Sequence, residues 1–97
     1  MTFEISNDVR KKLAVKHDVT EQEVIECFAN RESTKNFLKD TREEHLTDPP
    51  TLWFVSETDT GKKLKVVFIY YSDLEKFVIK TAYAANPEEI RIFNKFA

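Results

Sequence analysis

Glycine, cysteine, tryptophan and methionine each occur once in this 97-residue chain. Each scarcity excludes something. With Gly61 as the only glycine, few positions can hold a positive φ, and a glycine-rich loop that cradles phosphate is ruled out. With Cys27 alone, no internal disulfide and no cysteine zinc site can form, and a reducing, cytoplasmic setting is expected. Long hydrophobic runs are also missing. The longest, Val66 to Tyr71, is far too short to cross a bilayer. The opening MTFEISNDVRKK has no apolar run of the signal-peptide kind. No membrane association is expected.

What is present is enough for a core. Hydrophobic residues make up 41% of the chain, with eight Phe and three Tyr, so a single domain over residues 1–97 is expected. The formal net charge is −2, which argues against a broad nucleic-acid-gripping face. The charge is uneven. Residues 1–60 carry 8 basic and 13 acidic side chains, whereas residues 61–97 carry 7 and 4. An acidic first half thus precedes a basic second half.

Helix starts are written clearly. Ser6-Asn7-Asp8 can cap a short amphipathic helix carrying Val9 and Leu13. Thr20 with Glu23 forms a capping box, and Val19 with Val24 a hydrophobic staple, so a second helix runs to about Asn30. Asn86-Pro87-Glu88-Glu89 opens a last helix, with Asn as cap, Pro at the first turn and Glu89 closing a second box. Residues 31–50 are rich in charge and read as a loop, with room for one short strand around Phe37. Pro49-Pro50 disfavours helix and launches an extended segment.

From Thr51 the period changes to two. TLWFVSET, KLKVVFIYY and FVIKTAY read as three antiparallel strands, with Asp59-Thr60-Gly61 turning the first hairpin. In the third, Phe77, Ile79, Thr81 and Tyr83 share one side, and Val78, Lys80 and Ala82 the other. The expected fold class is α+β: two N-terminal helices, a three-stranded antiparallel meander with a possible fourth short strand, and a C-terminal helix, with the helices on one face.

Chemical motifs are few. His17 and His45 stand too far apart for a local metal clip, and neither a nucleophile elbow nor a Walker loop is present. No metal and no cofactor are expected. Cys27 falls on the apolar side of its helix and reads as core. Arg42 and His45 could hold a phosphate and carry a proton, or could form a solvated loop whose arginine is neutralised by Glu43 and Glu44. Lys63 and Lys65 share a strand face, and Lys80 joins them only if the register allows. The ladder could meet phosphates, or be ordinary surface lysines. Thr81 and Tyr83 could contact RNA or pack in the core. Glu88 and Glu89 are explained by capping. Arg91 and Asn94, three apart, can share a helix face.

The order of these pieces, with the KHDVT step and the closing IKTAYAANPEEIRIFNK, resembles small RelE-like toxins, and within them the BrnT group. The resemblance spans about 80 residues, though its motifs are short. It implies a RelE-like fold and a cytoplasmic toxin of a type II toxin–antitoxin pair. It further implies a metal-independent ribonuclease that acts on RNA and blocks translation, and a cognate antitoxin protein as partner. The basic sheet residues of the family match Lys63 and Lys65, its closing strand matches Lys80, Thr81 and Tyr83, and its last-helix charge matches Arg91. The expected catalytic residues are His45, Arg42, Lys65, Tyr83 and Arg91, with Lys63, Lys80 and Thr81 contacting RNA. His45, which has no firm family counterpart, would carry the proton. The chain departs from the family in its acidic net charge and in AAN where relatives carry arginine. That departure supports the alternative, a toxin-fold protein-binding module without catalysis.

Overall fold

The computed structural model describes residues 2–41 and 47–97. Arg42 and His45 therefore lie outside the described residues. The chain opens with strand β1 (Thr2–Glu4), then helices α1 (Asn7–His17) and α2 (Glu21–Asn30). Strands β2 (Leu38–Lys39), β3 (Thr51–Glu57), β4 (Lys63–Tyr71) and β5 (Lys76–Ala84) follow, and helix α3 (Pro87–Phe96) closes the chain.

The helix caps explain the helix starts. Ser6 Oγ accepts from the Val9 N–H at 3.2 Å. Thr20 and Glu23 complete their capping box, as do Asn86 and Glu89. At the far end of α1, Asp18 takes a left-handed φ of 53°, which Asp tolerates better than most residues. The N–H of Val19 then donates back to the Leu13 carbonyl at 3.0 Å. Gly61, at φ 90°, sits in the β3–β4 turn.

The strand order is β1-β5-β4-β3-β2. β3, β4 and β5 form an antiparallel meander, β2 adds two residues beside Trp53 and Leu52, and β1 pairs parallel with β5. The expected order, two helices ahead of a purely antiparallel meander, is thus overturned: a strand comes first, and the five-stranded sheet is mixed. Three residues are too few to show a period. β1 is fixed instead by partners far along the chain. The Thr2 N–H donates to the Glu75 carbonyl at 3.0 Å, Lys76 pairs with Glu4 at 3.0 Å, and Phe3 stacks on Phe77 at 5.4 Å.

Helices cover both faces of the sheet, not one. Phe54, Val66 and Phe68 alternate onto the first face, where the Phe28 ring of α2 lies 4.8 Å from Phe54 and 5.4 Å from Phe68. Phe37 joins the same cluster, 4.9 Å from Phe68 and 5.4 Å from Phe54. Trp53 and Lys65 point the opposite way, and there Phe93 of α3 packs 6.0 Å from Trp53. Cys27 is wholly buried on the first side, and burial pushes its thiol up to about 12, so it is an inert core group.

β5 holds a further correction. Val67 pairs with Thr81 but Phe68 pairs with Ile79, so Lys80 is an extra residue in a bulge. The alternation resets there. Ile79 and Ala82 share the first face, and Thr81 and Tyr83 the second. Ala82 is consequently buried, Lys80 is exposed, and Tyr83 stands opposite Lys65.

Phe68 is fully buried and touches the rings of Phe28, Phe37, Phe54 and Phe77. Phe68→Ala is expected to cost about 3–5 kcal/mol through the cavity it leaves. A urea titration with an unchanged slope would register it as a lowered midpoint.

Candidate functional site

The second sheet face gathers polar chemistry from three elements. β4 supplies Lys65, β5 supplies Tyr83, and α3 supplies Glu89. Lys65 Nζ lies 3.0 Å from Glu89 Oε2, and the Tyr83 hydroxyl donates to the same oxygen at 2.9 Å. The other oxygen, Oε1, accepts from the Asn86 backbone N–H at 3.0 Å as part of the capping box. The Lys65 ammonium also lies 4.5 Å above the Trp53 ring and 5.8 Å from the Tyr83 ring.

Burial sharpens these contacts. The Lys65 and Glu89 side chains are only 11% and 15% exposed. Burial raises the Glu89 carboxyl, but the Asn86 N–H, Lys65 and Tyr83 together outweigh it and hold the group below the ordinary carboxylate range. Burial raises the Tyr83 phenol, and its hydrogen bond to Glu89 raises it further. At neutral pH the cluster therefore holds a carboxylate and a protonated phenol. A hollow of about 510 Å³ opens beside it, lined by Lys65, Trp53, Leu38, Lys39, Ile92 and Phe96 among others.

The remaining expected site residues are dispersed. Lys63 is exposed on the same face as Lys65, 4.0 Å from Glu57 across the hairpin, at the edge of a second hollow near Phe93. Lys80 sits in the bulge and does not extend the ladder, because Tyr83 occupies the place opposite Lys65. Thr81 is half-buried on the same face as Tyr83. Arg91 grips Glu88 through two hydrogen bonds on the exposed side of α3 and does not reach the cluster. Among the described residues, no three of His, Cys, Asp or Glu gather closely enough to hold a metal ion. None of their helices is long and apolar enough to cross a membrane.

Three participants escaped the sequence reading. Glu89 was accounted for by its cap, and only the register of β4 against β5 shows that its second oxygen has other work. Trp53 was legible as lying opposite Phe54, but not as the neighbour of Lys65. His17 ends α1, and its ring lies 5.6 Å from Tyr83.

Because Glu89 titrates lower in the folded chain than in the unfolded one, its stabilisation is full above the ordinary value of 4.5 and fades as pH falls through the folded value. Glu89→Gln is expected to lose about 2–3 kcal/mol at neutral pH, since it strands a mostly buried ammonium. Its stability should then fall less steeply below pH 4.5 than that of the wild type. Urea melts at pH 7 and pH 3 check both points.

No protein-family model matches the chain, and no curated protein matches it.

Proposed function

We propose that the chain is the toxin of a type II toxin–antitoxin pair, a metal-independent ribonuclease that a cognate antitoxin restrains. The observation that carries this reading is the convergence of Lys65 and Tyr83 on one carboxylate oxygen of Glu89 beside an open hollow. The resemblance to the BrnT group supports it. Cleaving RNA without a metal needs a base for the 2′-hydroxyl, positive charge for the crowded phosphate, and donors that hold its oxygens. Glu89, kept ionised, suits the first role. Lys65 suits the second, and the protonated Tyr83 hydroxyl the third. For substrate to use them, the phosphate displaces Glu89 from Lys65 as the carboxylate turns to the 2′-hydroxyl.

A second reading has its own observation. Lys65, Lys63 and Arg91 all face carboxylates, so three of the cations proposed for RNA are internally compensated. A toxin-derived module that only binds a partner protein fits that arrangement.

Expression of the chain without its genetic neighbours discriminates the two. The ribonuclease reading expects arrested growth and fragmented messenger RNA, with Lys65→Met lowering cleavage by about 10²–10³-fold. Circular dichroism establishes that the variant is folded. Unimpaired growth with intact RNA rejects the ribonuclease. A stable complex with the product of the adjacent small gene would then select the binding module.

A further inference from the structure

The hollow beside Lys65 has room and chemistry for more than a phosphate. Its volume of about 510 Å³ lies in the range that holds a small ligand. Glu89, Ile92 and Phe96 stand at positions i, i+3 and i+7 of α3. The stripe that brings the Glu89 carboxylate to the sheet therefore also brings Ile92 and Phe96 to the hollow. Phe96 is 64% exposed, a large apolar side chain that the core does not use. Trp53 lines the hollow too, but Lys65 already lies over its ring. Asp40 lines the same hollow and is only 8% exposed. It follows β2 directly, and its N–H donates to the Thr51 carbonyl at 2.8 Å, which pins its backbone to the start of β3. A carboxylate has about four acceptor sites, so it can take two further donors alongside the interaction Asp40 already makes. One hollow thus joins an exposed ring, a buried acid and the Lys65 ammonium.

We propose that this hollow is a base subsite and that it seats guanine. The inference rests on the ribonuclease reading for the phosphate at Lys65 and names the base that adjoins it. The base stacks on Phe96, a contact that any base can make. Asp40 supplies the choice among bases. Guanine alone presents two adjacent donors on its Watson–Crick edge, N1–H and the 2-amino group, and these match the two oxygens of one carboxylate. Uracil offers one donor between two carbonyl oxygens. Adenine and cytosine each set an acceptor beside their amino group, and that acceptor would face the second carboxylate oxygen. A site with a buried acceptor rejects a ligand that leaves it unpaired far more strongly than an apolar wall rejects a change of shape. No bond is made or broken in this recognition.

Trp53 is the only tryptophan in the chain, so its emission reports occupancy of the hollow, and equilibrium dialysis gives the same constants without a fluorophore. Guanosine 5′-monophosphate should bind at least about tenfold more tightly than the adenosine, cytidine or uridine monophosphates. Inosine 5′-monophosphate, which lacks only the 2-amino group, should lose about tenfold. Asp40→Asn should bring guanosine monophosphate down to the level of the others. Phe96→Ala should weaken all of the nucleotides alike, by about 10–100-fold, with an unchanged melting temperature. The inosine comparison is made on the wild-type chain and decides the point even if Asp40→Asn does not fold. Equal affinity for guanosine and inosine monophosphates, or a preference that survives Asp40→Asn, overturns the guanine assignment. Binding of no nucleotide overturns the subsite itself, whether or not RNA is cleaved. Binding in the expected order by a chain that cleaves no RNA, alone or with translating ribosomes, overturns the ribonuclease reading and leaves the subsite standing.

Discussion

The Glu89 carboxylate ties helix α3 to the sheet. One oxygen finishes the helix cap and the other binds Lys65 and Tyr83 on two neighbouring strands. A capping box alone stabilises a helix start by about 1 kcal/mol and leaves the helix free to lie anywhere. Sharing the carboxylate with the sheet fixes where it lies. That placement sets Phe93 against Trp53 and leaves the hollow beside Lys65 open. The network is mostly buried and each of its members is satisfied, the condition under which such a network specifies one arrangement instead of penalising it.

The Lys80 bulge makes that tie possible. Without the extra residue, the alternation of Phe77 and Ile79 would carry Tyr83 to the first face, among Phe68 and Val66. Ala82 would turn toward Lys65. With it, Ala82 fills the tight space by Val66 and Tyr83 reaches Lys65. A bulge near a cluster of titratable groups is the usual device for aiming a side chain across a sheet. The cost is one exposed lysine that belongs to neither face.

Features whose physics is local could be read from the chain. Ser6, Thr20 and Asn86 declare their helices within four residues, and Gly61 declares its turn. Features set by distant partners could not. β1 depends on β5, the faces beyond Ile79 depend on where β4 runs, and the distribution of helices over both faces depends on α3 docking through Glu89. For the site, Lys65 and Tyr83 were legible as residue types on strands. Their meeting was not, because register decides it. His17 gave no signal beyond its place at the end of a helix. Arg42 and His45 lie outside the described residues.

The basic second half of the chain looks different once its partners are known. Lys62 pairs with Glu23, Lys63 approaches Glu57, Lys76 pairs with Glu4, Lys65 with Glu89 and Arg91 with Glu88. Three of these acids come from the acidic first half, so the charge asymmetry is largely consumed in joining the two halves. Lys80 and Lys95 have no acidic partner among the described residues, and the bulge on β5 and the end of α3 hold them on separate elements. With those pairs made, the second half of the chain offers few free cations, so broad electrostatic attraction by that half contributes little to holding a polyanion. Recognition by that half therefore has to be local. A partner gains from the second face chiefly by entering the hollow beside Trp53 and exchanging places with the Glu89 carboxylate, where partial burial strengthens each polar contact.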